Sequence, residues 1–169
     1  MDAPAGRTVQ MNRGAEEAGG KILLFLHVDC LIPKDSLNMI ETRILNAGVV
    51  GGAFKQVFSN QDLFLRIVSV FGNLRSRLTS TFFGDYGIFL MKDVFRKIGG
   101  YDNVLFLEDV ELCRKARQYG KLTQIDHYIF TSSRKYLREG RVRLTMIFIV
   151  VCLLNLLKCR PRFFVRYMA

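Results

Sequence analysis

The stretch that most constrains this chain is Lys21-Ile22-Leu23-Leu24-Phe25-Leu26-His27-Val28-Asp29-Cys30. Five consecutive apolar residues, bounded by Gly19-Gly20 before and Pro33 after, predict a strand covered on both faces in a parallel-type sheet. The strand runs out into a polar cluster at its carboxyl edge, where open α/β sheets place their ligands. A carboxylate such as Asp29 can hold a hard divalent cation there, and the cation in turn holds phosphate oxygens. Asp29 is equally suited to starting the turn into the next helix.

The rest of the chain supplies elements to surround that strand. Gly6 to Ala18 reads as a helix with Met11, Ala15 and Ala18 on one side and Gly19-Gly20 as its stop. Pro33 and Asp35 open a second, with Leu37, Ile40, Ile44 and Leu45 at helical spacing before Gly48. Val49 to Phe58 predicts a strand whose small Gly51-Gly52-Ala53 admits a close backbone approach. Residues 61–78 carry Leu63, Ile67, Val70, Phe71, Leu74 and Leu78 on one stripe, with Arg66, Arg75 and Arg77 on what reads as the solvated side. Phe82 to Leu90 reads as a strand interrupted by a Gly-Asp loop. A short helix over Lys92–Ile98, a longer one over Leu107–Tyr119 and a last strand over Ile125–Thr131 follow.

The chain has 169 residues and is 50% hydrophobic, enough for one domain with a core of its own. Cys30, Cys113, Cys152 and Cys159 show neither C-x-x-C nor disulfide-like spacing, which suits a reducing compartment. Met1 to Gly20 is polar and has no apolar run of the leader type. The net charge of +10 is uneven: residues 131–169 carry nine Lys/Arg against the single acid Glu139. The basic end therefore wants an anionic partner. Nucleic acid has charge in its favour but no accompanying motif. Anionic phospholipid or a phosphorylated substrate fits better, because the same end is apolar from Leu144 to Leu157. As a helix those 14 residues would span roughly 21 Å, short of the ~30 Å hydrocarbon core. With Arg138, Arg141 and Arg143 before it and Lys158, Arg160, Arg162 and Arg166 after it, the run reads either as an interfacial helix or as a core helix closing the domain.

Three acidic positions can meet at one sheet edge: Asp29, Asp85 in its Gly-flanked loop, and Glu108-Asp109 at a helix start. An acid in a first helical turn is favoured by the macrodipole alone, so a capping role for Glu108-Asp109 is open. Phe106-Leu107 before the pair and Leu112 after it imply burial, and a buried carboxylate can act as general base toward a hydroxyl.

Six ordered segments carry a resemblance. They are Gly6-Arg7-Thr8-Val9-Gln10-Met11-Asn12-Arg13-Gly14-Ala15, Leu24-Phe25-Leu26-His27-Val28-Asp29, Gly51-Gly52-Ala53-Phe54, Gly84-Asp85-Tyr86-Gly87-Ile88-Phe89, Gly99-Gly100-Tyr101 and Leu107-Glu108-Asp109-Val110-Glu111-Leu112. Together, over roughly residues 6–145, they resemble the family 2 glycosyltransferases. The nearest subgroup is the one described as radical-SAM/selenodomain-associated transferases.

The resemblance implies an α/β GT-A fold, a mixed sheet flanked by helices, with a nucleotide-diphosphate sugar as donor and Mn²⁺ or Mg²⁺ as cofactor. It places Asp29 at the metal- and diphosphate-binding D-x-D position, Asp109 at the catalytic base with Glu108 beside it, and Asp85 near the sugar or acceptor. Arg7, Asn12, Arg134 and Arg138 fall where relatives meet the donor and its phosphates. His27 occupies the first acidic position of D-x-D; it is a candidate metal ligand or a hydrogen-bonding residue at the strand end. His127 could complete a metal site or be an ordinary strand residue. The resemblance further implies that a βαβ half, which reads the donor's base, would precede Met1. The expectation is thus an incomplete transferase domain over 1–140 and a basic apolar tail over 141–169, cytoplasmic or peripheral on an anionic membrane. A partner or a second copy would supply the missing half, or the chain would be a fragment or inactive relic. The competing expectation is a non-catalytic interaction or membrane-docking protein with the same core. The donor base, the sugar and the acceptor are not written in these residues.

Overall fold

The computed structural model describes residues 4, 6–60, 62–104 and 106–156. Leu157, Lys158, Cys159, Arg160, Arg162 and Arg166, and with them the end of the expected tail, lie outside the described residues. Helix α1 (Arg7–Glu17) leads into strand β1 (Ile22–Phe25), then β2 (Cys30–Leu31), α2 (Ser36–Ile44) and β3 (Val49–Phe58). Helix α3 (Leu63–Thr79), a 3₁₀ turn at Gly84–Tyr86, β4 (Ile88–Met91) and α4 (Lys92–Lys97) follow. Helix α5 (Glu108–Ala116), β5 (Lys121–Thr131), α6 (Arg134–Glu139) and α7 (Arg141–Leu156) complete the chain order.

The described strands form one mixed sheet in the order β1-β4-β3-β5-β2. Strands β3 and β5 are parallel, and the other pairings are antiparallel. Side chains alternate between two cores, as the pleat requires. Leu23, Ala53, Ile88 and Leu90 face α1, α4 and α5, where Ala15, Val94, Phe95, Leu112, Cys113 and Ala116 meet them. Phe54, Phe89, Ile125 and Ile129 face the other way, onto Ile40 of α2. At the crossing of β4, β3 and β5 the backbones come so close that a Cβ on Gly52 would overlap the Thr123 carbonyl oxygen. This is the close approach that the small Gly51-Gly52-Ala53 run predicts.

Two expectations are corrected. Strand β1 is apolar toward both cores, with Leu23 in one and Ile22 and Leu24 packed against the other. It is not part of a parallel-type arrangement, however. It pairs antiparallel with β4, Leu23 opposite Leu90, and stands at the edge of the sheet among the described residues. An open groove of about 350 Å³ runs along that edge between β1 and the Met11, Ala15 and Ala18 side of α1. The segment before β4 is also no strand, because Gly84–Tyr86 coils into a 3₁₀ turn and reverses the chain.

The larger correction concerns α3. Its apolar stripe faces outward: Leu63, Ile67, Val70, Phe71, Leu74 and Leu78 are all exposed, Leu63 and Leu78 at 74% and 76%. Its inner face buries one large apolar residue, Leu65, and is otherwise polar and small. Asn73 accepts from the Gln56 N–H and donates to the Gln56 carbonyl, both at 2.8 Å. Ser69 donates to Gln56 Oε1 at 3.3 Å, and Gly72 meets the Tyr86 hydroxyl. Arg75, expected on the solvated side, turns inward over the Phe83 ring, 4.3 Å from its centroid, and donates to Ser76 and Thr81. Helix α3 is amphipathic as its periodicity predicts, but inverted.

Candidate functional site

The site is assembled at the end of the sheet where β1, the 3₁₀ turn and β5 terminate. After β1 the chain makes a short turn through His27, Val28 and Asp29 and joins the sheet again as β2, against the last residues of β5. The Ser132 N–H then donates to the Asp29 carbonyl at 3.1 Å, so the Asp29 turn lies beside the start of the basic segment 132–138. Asp85 is fixed to the same place through its backbone. Its carbonyl accepts from the Thr131 hydroxyl at 3.1 Å and from the Cys30 thiol at 3.7 Å.

Helix α5 brings in the third acidic position. Leu107 precedes it in the left-handed region, φ 59°, which turns Glu108 and Asp109 inward; both are buried, at 6% and 5% exposure. Two buried carboxylates in sequence need a cation. Arg7, at the first turn of α1, supplies it. Its Nη1 lies 3.1 Å from Glu108 Oε1 and its Nη2 2.9 Å from Asp109 Oδ2. Asp109 Oδ2 also accepts from the Gly84 N–H at 2.9 Å. Nη2 of Arg7 reaches His27 Nε2 at 2.6 Å as well. A guanidinium can only donate, so Nε2 accepts and the ring is neutral, its proton on Nδ1. Burial, reinforced by the Arg7 charge, lowers the His27 pKa to about 4. Gly84 must be glycine for this cluster to close, since a Cβ there would sit on His27 Nε2 and 2.6 Å from Arg7 Nη2.

The two carboxyl groups that face the centre are hard to ionise. Burial pushes Asp109 up to about 6, with Arg7 pulling against it and Glu108 adding to it. Asp85 goes up to about 7, through burial first and then the charge of Asp109. Oδ1 of Asp85 is buried with no hydrogen-bond partner, whereas the buried Tyr101 hydroxyl lies near enough to Asp109 to act on it as a hydrogen-bond donor. Acceptors left bare at a site of this kind mark where a hydroxyl or other donor would be received. Carboxyls poised near neutrality are suited to moving protons.

The structure thus brings Arg7, His27, Asp85, Glu108 and Asp109 into one cluster, with Asp29 exposed at its rim. Asp29 is near enough to act on the charges of both His27 and Asp85. Asn12 is occupied otherwise: its amide donates to the Tyr101 carbonyl at 2.9 Å and accepts from the Tyr101 N–H at 2.8 Å. It pins Tyr101 under the cluster. Arg134 and Arg138 are exposed on α6, bonded to Ser132 and Glu139. His127 sits on an exposed position of β5 beside Asp126.

Sequence reading passed over Lys135. Its ammonium feels both Arg7 and Asp29, and burial with neighbouring cations lowers its pKa. The only trace in the sequence is its place between Arg134 and Arg138. The clamp of Arg7 on Glu108-Asp109 was also unforeseen, since it joins residues 102 positions apart.

No group of three His, Cys, Asp or Glu side chains among the described residues forms a metal cage. One exposed carboxylate, Asp29, does fit a cation whose remaining ligands are phosphate oxygens and water, the usual mode for Mg²⁺ and its relatives.

No family model and no curated protein matches the chain in sequence. Among solved structures it is similar to a mannosyltransferase from Pyrobaculum calidifontis in complex with GDP-mannose and Mn²⁺, with a TM-score of 0.64 at 17% identity. The match covers 96% of this chain and 47% of that one, so the chain spans about half the length of its structural neighbour. What the two share at this identity is the fold: a mixed sheet flanked by helices, of the kind a glycosyltransferase uses.

Proposed function

We propose that this chain forms the acceptor side of a metal-dependent, inverting glycosyltransferase of the GT-A type and family 2, using a nucleotide-diphosphate sugar. The observation that carries the reading is Asp109. It is buried, oriented by Arg7, the Gly84 N–H and the nearby Tyr101 hydroxyl, and raised toward neutrality. Such a carboxylate is a suitable general base. Asp109 takes the proton of an acceptor hydroxyl, whose oxygen attacks the anomeric carbon from the face opposite the departing diphosphate. The bond from that carbon to the diphosphate oxygen breaks, and configuration inverts. Glu108 shares Arg7 with Asp109 and keeps the base in place. Asp85, raised to about 7 by burial, is protonated in part at neutral pH and in that form donates a hydrogen bond to the sugar or acceptor.

On the donor side, Asp29 would hold the divalent cation. When bound, the cation supplies charge that stabilises the leaving diphosphate. Arg134 and Arg138 add to that stabilisation, while the outer nitrogens of Arg7 are engaged by Glu108, Asp109 and the neutral His27. In this reading the nucleoside is bound by a further half-domain seated along the β1 edge, where the groove beside α1 is open. It would come from more of the same polypeptide or from a partner. The GDP-mannose of the structural neighbour makes a GDP-sugar the first donor to try, with UDP-sugars beside it.

The test is calorimetric titration of the chain with GDP-mannose and UDP-glucose in Mn²⁺ and then in EDTA. Binding that needs the metal and disappears in Asp29→Ala is expected. Where binding is found, transfer should fall by about 10²- to 10⁴-fold in Asp109→Asn, the range for loss of a general base. Metal-independent binding, or full turnover in Asp109→Asn, would overturn the assignment.

A further inference from the structure

Helices α3 and α7 lie side by side and run the same way. Asp62, the N-cap of α3, pairs with Arg141 at the start of α7 at 2.6 Å, and Arg75 near the end of α3 acts on Cys152 near the end of α7. Both helices show apolar stripes to the outside. On α3 these are Leu63, Ile67, Val70, Phe71, Leu74 and Leu78; on α7 they are Val142, Met146, Ile149, Val150 and Leu153, 39–63% exposed. The orientation is not arbitrary. Asn73 and Ser69 tie α3 inward to Gln56, while Leu144 and Val151 of α7 are fully buried and Tyr136 stacks on Phe148. Turning either stripe inward would break these contacts.

Soluble monomers rarely leave so many large apolar side chains in adjacent stripes without a partner. Charge identifies the partner. Helices α3 and α7 contain no Asp or Glu; Arg75 turns inward over Phe83 and Arg141 pairs with Asp62, which leaves Arg66, Arg77 and Arg143 exposed. Arg66 and Arg77 are exposed alongside the α3 stripe. A second copy meeting this face through a two-fold axis would bring arginines together with no helix carboxylate to receive them. An anionic lipid surface accepts both features at once, taking the apolar residues at the acyl boundary and the arginines at the headgroups. No helix among the described residues is long and apolar enough to cross a membrane, so the association is in the plane.

We propose that the outer faces of α3 and α7 together dock the protein on an anionic bilayer. The proposal does not depend on the transferase reading.

The experiment is flotation of the full chain with vesicles of phosphatidylcholine alone and of phosphatidylcholine with phosphatidylglycerol. The substitutions are placed on α3, so that the charge after residue 156 stays constant. Binding is expected only with phosphatidylglycerol, falling in high salt. Arg66→Gln and Arg77→Gln should each weaken it about fivefold, the effect of one basic residue near such a surface. Phe71→Ser with Leu74→Ser should weaken it at least tenfold while circular dichroism stays that of the parent. Wild-type binding carried undiminished by the Phe71/Leu74 double variant would overturn the role of α3. So would a folded chain that ignores phosphatidylglycerol vesicles, or a dimer in solution that the double variant dissociates.

Discussion

Helices α3 and α5 are both amphipathic, yet they are used in opposite senses. Helix α5 buries Leu112, Cys113 and Ala116 and carries two carboxylates down with them. Helix α3 buries Ser69 and Ser76 with one leucine, Leu65, points Asn73 inward, and leaves Leu63, Leu74, Leu78 and Phe71 outside. The difference lies in what each helix finds beneath it. Under α5 there is the apolar face of β3 and β4, and Arg7 answers the two acids. Under α3 there is a backbone stretch at Gln56 that needs hydrogen-bond partners, which Asn73 supplies from both ends of its amide. An apolar stripe thus reports that a helix has a greasy side, not that this side faces the core.

The comparison can be broken most directly by truncating a leucine on each helix. Leu112→Ala should cost about 3 kcal/mol, as expected for a fully enclosed leucine. Leu74→Ala, 49% exposed, should stay within about 0.5 kcal/mol in the absence of lipid. Denaturant midpoints measure both, and similar losses would mean that α3 is packed in solution.

A second prediction uses the acids. Asp85 and Asp109 have folded pKa values of about 7 and about 6, above their unfolded value. The folded protein therefore binds protons that the unfolded chain releases. Their destabilising contribution is absent below about pH 4, grows as pH rises, and is complete above about pH 7. Stability should accordingly fall between about pH 4 and about pH 7. Asp85→Asn should flatten that slope and raise stability at pH 8 by about 2 kcal/mol, roughly half of what a fully buried shift of this size would give. An unchanged slope in thermal melts across this range would remove Asp85 from the cluster. A smaller loss than that at Leu112 is expected for Asn73→Leu. It strands the N–H and carbonyl of Gln56 and should cost about 1–2 kcal/mol, despite adding an apolar residue to an apolar helix. A stabilised variant would show that α3 can rotate its stripe inward.

Much of the chain order is legible from residue patterns. Val49–Phe58 is found with its limits intact, because the turn before it and the Gly-Gly pair within it are local signals. Helices α1, α2, α4 and α5 fall within a few residues of their expected spans for the same reason. The start of β5 at Lys121 escapes notice because Lys121-Leu122-Thr123-Gln124 is polar enough to pass for a loop. What cannot be read locally is direction and pairing. The antiparallel seat of β1 depends on β4, more than 60 residues on, and the facing of α3 depends on Gln56. Likewise, Asp29, Asp85 and Asp109 were found as separate acids, but the guanidinium that makes the last of them tolerable comes from the far end of the chain.

Leu107 gives the two halves of this account a mechanical link. Its left-handed backbone, φ 59°, stores about 1 kcal/mol or more in a residue that has a Cβ. Phe106, Leu107 and Val151 of α7 form one apolar cluster, with Ile147 against it, and that cluster repays the strain. The next residue is Glu108. The turn that aims the acid pair therefore rests on the underside of α7. Any coupling between a surface bound at α7 and a ligand bound at the acids would have to be reciprocal.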